Sequence, residues 1–202
     1  VPVRPATASS PPAVPAPAAD GWRSALVRLD VARDAASGQW TLAADTGPLA
    51  VGVAPVGADV RRITLPAAPP PGDYQVRVRF VRSDGSKEWC VLFPIGGTPA
   101  QLWIGGMSGQ ASSLNSAPGT RVNPSNGPLV NGVEQELVLT VKAPPSGPAT
   151  LAVTLDGQPY INWSGDPTKL TVDRRYAATD PAHLGLAVHE RSAVEFRDVS
   201  WR

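Results

Sequence analysis

Residues 74–80 read YQVRVRF. Successive side chains of a strand point to opposite faces, so Tyr74, Val76, Val78 and Phe80 form one row and Gln75, Arg77 and Arg79 the other. An apolar row backed by a charged one predicts a strand with one face in a core and the other in solvent. The same alternation recurs at 136–142, where Leu137, Leu139 and Val141 oppose Val138, Thr140 and Lys142. It recurs again at 183–189, where Leu184, Leu186 and Val188 oppose Gly185, Ala187 and His189. Residues 89–95, WCVLFPI, are apolar on both faces, which suits a central strand. Further strands are expected near 40–43, 49–53, 61–65 and 101–104. In VEFRDVSW, 194–201, the apolar residues fall at 194 and 196, then 199 and 201. The skipped position predicts a β-bulge at Arg197-Asp198 that keeps Val199 and Trp201 facing inward.

Residues 150–166, TLAVTLDGQPYINWSGD, read as a hairpin. A two-residue turn at Asp156-Gly157 sets Thr150 opposite Trp163 and leaves both faces mixed. A three-residue loop closed by Gly157 instead puts Trp163 on the side of Leu151, Val153 and Ile161, with Tyr160 among the polar residues. The second register separates apolar from polar better, and a buried face selects against a one-residue slip. Trp163 is therefore expected to be core wall, not a platform for a sugar.

The chain carries 23 prolines and 19 glycines, and nothing in it reads as a long amphipathic helix. Together with the short alternating runs this predicts an all-β, two-sheet antiparallel β-sandwich. Residues 1–20 differ from the rest, with six prolines, six alanines and two charged residues. Without apolar periodicity such a segment is expected to be a disordered linker ahead of a domain over 21–202. The chain opens on Val1 without a signal region, and is read as a piece of a longer or processed protein. A net charge of +1 argues against a nucleic-acid surface. No apolar run reaches the roughly 18 residues of a membrane span. A single cysteine, Cys90, rules out an internal disulfide and a cysteine-built metal site.

The motifs ITLP, YQVRVRFVR, PIGG, WIGG, VNPSNGPLVNG, VTLDGQPYINWSG, DPAHLGLAVHE and VEFRDVSWR, taken in order, resemble the concanavalin A-like lectin/glucanase superfamily. Within it the likeness is to the bacterial laminin-G-like and 3-keto-disaccharide hydrolase domains, and it covers about residues 37–202. The resemblance implies a jelly roll and an extracytoplasmic module, periplasmic or at the cell surface, often appended to a larger bacterial envelope or signalling protein. It further implies that Arg77, Arg79, Gln101 and Trp103 share one concave sheet.

The glucanases of this superfamily need two carboxylates on one strand face. Gln101, Trp103 and Gly106 occupy the positions where the resemblance requires them, which argues against that mechanism. Glu134 and Glu136 share a face but read as a solvated strand end. His183 and His189 would lie about 20 Å apart on an unbroken strand, too far to share a metal. The run GGMSGQ lacks the last glycine of a nucleophile elbow. The sequence therefore points to no catalytic residues, no metal and no cofactor. It points to a carbohydrate or cell-envelope ligand held by Arg77, Arg79, Gln101 and Trp103, with Asn123 and Asn126 at the rim. Stacking on Trp103 and planar hydrogen-bonding groups for hydroxyls would carry recognition. The alternatives are a 3-keto-disaccharide hydrolase-type enzyme and a structural or protein-interaction module.

Overall fold

The computed structural model describes residues 20–43, 47–54, 58–109, 111–117 and 129–202. The expected linker lies outside the described residues except for Asp20, and so do Asn123 and Asn126. The chain first forms β1 (Arg23–Ser24), a helical turn α1 (Val31–Asp34), β2 (Ala35–Ser37), β3 (Trp40–Leu42), β4 (Leu49–Val51) and β5 (Arg61–Thr64). Next come β6 (Tyr74–Gly85), β7 (Trp89–Ile95), β8 (Thr98–Gly105) and β9 (Ala111–Leu114). The last strands are β10 (Glu134–Lys142), β11 (Ala149–Leu155), β12 (Gln158–Gly165), β13 (Gly185–Val188) and β14 (Ser192–Trp201). Among the described residues no helix is long and apolar enough to cross a membrane.

The strands form two antiparallel sheets packed as a sandwich. One runs β12-β11-β10-β6-β14-β4-β3, with β1 beside the far end of β14. The other runs β2-β5-β13-β7-β8-β9. The chain changes sheets between Gly85 and Trp89, which places YQVRVRF and WCVLFPI in opposite layers. All seven residues of β7 are buried, as its two-sided apolar pattern predicted. Inward rows from both layers meet in one core. Tyr74, Val76, Val78 and Phe80 supply the first sheet's row, and Trp89, Val91, Phe93, Leu102 and Ile104 supply much of the second's. Trp89 sits at the junction, its ring centroid 4.5 Å from that of Phe80 and 5.2 Å from that of Phe196.

The expected bulge in β14 is present. Phe196 pairs with Phe80 and Asp198 with Arg79, so Arg197 is the extra residue and Val199 returns to the core. The 150–166 hairpin reaches the expected faces by another route. Its loop is the two-residue turn, with Leu155 paired to Gln158 and both Asp156 (φ 51°) and Gly157 (φ 75°) left-handed. That is the primed turn which matches strand twist. A bulge at Tyr160 then shifts the register, so Val153 pairs with Ile161 and Leu151 with Trp163. Trp163 is half-buried against the core, on the expected side. Tyr160 is not on the polar face as expected. The bulge turns it inward, where its hydroxyl shares a 2.6 Å hydrogen bond with Ser112 Oγ on the edge of the other sheet. Removing that hydroxyl in Tyr160→Phe should cost about 1 kcal/mol in urea unfolding; no change would mean the contact adds nothing across the sandwich.

Among the described residues two arginines, Arg61 and Arg82, are buried at one end of the fold, each 3% exposed. Arg82 donates to Asn131 Oδ1 (2.6 Å) and to the carbonyls of Gly105 (3.0 Å) and Leu129 (2.9 Å). It thereby holds the turn after β8, where Met107 (φ 50°) and Ser108 (φ 64°) take left-handed conformations unusual for residues with a Cβ.

Candidate functional site

The six-stranded sheet turns one face to the core. Its outer face carries a cross-strand row of Arg62, Ala187, Cys90, Trp103 and Ser113, each paired with the next. Trp103 therefore faces away from the core, while Leu102 and Ile104 are buried within it. The segment after β12 folds back over this face and seals a second, smaller apolar cluster. Val60, Cys90, Leu92, Tyr176 and Ala187 are buried there, with Trp103, Val172 and Ala178 packed at its margin. The Trp103 and Tyr176 rings lie 5.6 Å apart, tilted by 37°. The indole Nε1 of Trp103 is buried and has no acceptor.

Beyond Trp103 the surface offers little bulk. Gly106 pairs with Ala111 across β8 and β9, and a Cβ at Gly106 would stand 3.4 Å from Glu88 Oε2. Glu88 accepts a 2.6 Å hydrogen bond from the Tyr176 hydroxyl, which burial and this carboxylate hold firmly protonated. Arg175 closes the side, its guanidinium 6.0 Å from the Tyr176 ring centroid and 3.7 Å from Glu190. His189 adjoins, with its backbone N–H donating to the Glu88 carbonyl at 3.1 Å. Its Nδ1 lies 3.1 Å from Glu190 Oε2 and 3.3 Å from the Arg191 nitrogen, and burial outweighs the neighbouring carboxylates to lower its pKa. An indole face, a low floor and a rim of carboxylate and guanidinium can take a flat, hydroxylated ring by stacking and hydrogen bonding.

The structure brings together only some of the expected set. Arg77 and Arg79 lie on β6 in the other sheet, so they cannot share a ligand face with Trp103. Both are also engaged elsewhere. Arg77 bonds Asp198 at 3.0 Å and lies 4.6 Å from the Trp22 ring centroid, while Arg79 pairs with Glu134. Gln101 does point to the outer face with Trp103, but it is fully buried there. Its amide nitrogen reaches Cys90 Sγ (3.3 Å), and its carbonyl accepts from the Asp173 N–H (2.8 Å). Gln101 anchors the covering segment, and nothing of it is left for a ligand. The residues missed from sequence are Tyr176, Glu88 and Arg175. Tyr176 sat in DRRYAATD, a polar, turn-like run where one aromatic was the only signal.

Cys90 is fully buried and its thiol is pushed well up by burial, so it stays protonated and inaccessible. It should resist a water-soluble thiol reagent in the native protein and react once urea unfolds the chain; rapid native labelling would show that the covering segment opens readily. Among the described residues, no group of three or more His, Cys, Asp or Glu side chains could hold a metal ion.

No protein-family model and no curated protein matches the chain. Solved structures do. The conserved carbohydrate esterase of the Shiga toxin-encoding bacteriophage phi24B superposes with a TM-score of 0.54 at 12% identity, over 83% of this chain and 88% of that one. Alginate lyase Aly36B follows at 0.50 and 12%, over 84% and 86%. The carbohydrate binding module CBM66 from Bacillus subtilis superposes at 0.48 and 13%, over 90% and 95%. The likeness is one of fold. At such identity the first two show a shared two-sheet β-sandwich architecture and nothing finer.

Proposed function

We propose that this domain binds carbohydrate on the outer face of its six-stranded sheet, with Trp103 as the stacking platform. The reading rests on one observation: Trp103 is half-buried on a sheet face that a loop otherwise covers, with its indole N–H unpaired. A buried N–H without an acceptor is costly, and a sugar hydroxyl can supply one. The bacteriophage esterase and the alginate lyase of like fold are both named for carbohydrate chemistry, which supports the choice of ligand class. A glycan of the cell envelope, met outside the cytoplasm, fits such a module. The test is a glycan array with the isolated protein, followed by titration of the strongest hit. Saturable binding with a micromolar to millimolar Kd supports the proposal, and an array without signal removes it.

The enzymatic reading has one observation in its favour, the Glu88 carboxylate beside the same floor. Against it, Tyr176 is 2% exposed and its hydroxyl is spent on Glu88. An assay on 3-keto-glycosides with wild type and Glu88→Gln decides: hydrolysis that Glu88→Gln loses would make the domain an enzyme.

A further inference from the structure

We propose that a second, separate cleft, floored by Arg61, binds a small hydroxylated carboxylate such as a uronic acid residue. The cleft has a volume of about 480 Å³ and is lined by residues of β2, β3 and β5 and by residues 52–54 and 58–59, including Gln39, Thr41, Val53, Asp59 and Arg61. That is the size of a site for a small molecule. It opens at the β2–β5 edge, three strands from β8 and away from the Trp103 face.

The stem of Arg61 runs beneath Gly38, where a Cβ would stand 2.0 Å from Arg61 Cγ. One nitrogen, Nη2, donates to the carbonyls of His189 and Ser192. The other donors, on Nε and Nη1, are buried and have no acceptor. Among the described residues, no carboxylate forms an ion pair with this guanidinium. Glu190 acts on it only through space, and desolvation is uncompensated enough to lower its pKa. A buried cation with unmet N–H groups gains from an anionic acceptor far more than a solvated one does. At the mouth the side chains of Gln39 and Thr41 are exposed, an amide and a hydroxyl placed to meet a ligand's hydroxyls. Asp59, 62% exposed and 3.9 Å from Arg62, adds a partly balanced negative charge there, which disfavours a dianion more than a monocarboxylate.

The experiment is calorimetric titration with sodium glucuronate, beside glucose and inorganic phosphate at equal ionic strength. Glucuronate should bind at one site in wild type and in Trp103→Ala alike, with glucose and phosphate weaker by tenfold or more. Asp59→Asn should tighten it by about two- to fivefold, since an exposed charge contributes little more than that. Gln39→Ala should weaken it by about three- to tenfold, the loss of one hydrogen bond. Arg61→Gln should abolish binding. It also frees the His189 and Ser192 carbonyls, so if it does not fold the two rim variants carry the decision. No binding by wild type, glucose or phosphate binding as tightly, or rim variants with unchanged affinity would overturn the proposal. Loss in Trp103→Ala would reassign glucuronate to the sheet face and overturn it too, leaving the reading of that face standing.

Discussion

Trp89→Ala should destabilise the domain by about 3–5 kcal/mol, the range for large aromatic truncations in packed cores. Trp89 is fully buried on β7, and its ring touches Phe80 and Phe196 on neighbouring strands of the opposite sheet. Truncation removes the ring that joins the two layers, and neither sheet can close the gap without moving its strands. Against a typical domain stability of about 5–15 kcal/mol, such a loss takes away a large share of the margin. Trp89→Phe is the informative companion. The indole Nε1 of Trp89 is buried without an acceptor, so phenylalanine keeps most of the ring contact and removes an unsatisfied donor. It should cost well under half as much as alanine. Urea unfolding of both variants measures the difference, and equal losses would show that bulk packing at this site does not join the sheets.

Trp103→Ala should remove glycan binding, with affinity falling at least tenfold, while costing only about 1–2 kcal/mol of stability. The unequal effect follows from position. Trp103 is half-buried at the margin of the smaller cluster, where its ring meets Tyr176, and its loss opens no void between the two sheets. Its partly exposed ring is what a sugar ring would stack on. Trp163 is the matched control, a half-buried tryptophan on the core side of an edge strand. Trp163→Ala should lower stability by a similar or larger amount and leave binding intact. If both variants bind alike, the platform assignment is wrong.

Alternation made the buried rows of β6, β10 and β13 readable, because a strand's period is two and each of these strands has one row in the core. The bulge at Arg197 was readable for the same reason, as an interruption that the apolar residues step over. Sheet membership was not readable. Periodicity reports which face is buried, not which layer a strand joins, and the short link from Gly85 to Trp89 gives no sign that the chain crosses over. Without that sign, Arg77 and Arg79 fall together with Trp103. Solvation by pattern failed where a distant segment returns as a cover. Gln101 is sealed by residues near 173, and Arg77 lies against Trp22, both contacts that no local rule foresees. Tyr160 departs from expectation because of a bulge that neither simple hairpin register contains.

The pairing of β1 with the end of β14 has a mechanical consequence. Arg23 lies opposite Trp201 and Ser24 opposite Ser200, while Arg202 exchanges backbone hydrogen bonds with Gln75. Tension applied between residues 20 and 202 would therefore load this ladder from its open end. Its bonds would break in succession, as in a zipper, instead of resisting together in shear. The first obstacle is the Trp22 ring with the Arg77 and Arg202 guanidinium groups, each 4.6 Å from its centroid. Once that contact breaks, β14 is free to peel from β6, its longest partner, and the sandwich opens from this corner. Under tension applied at these two residues, the domain would yield first at this corner.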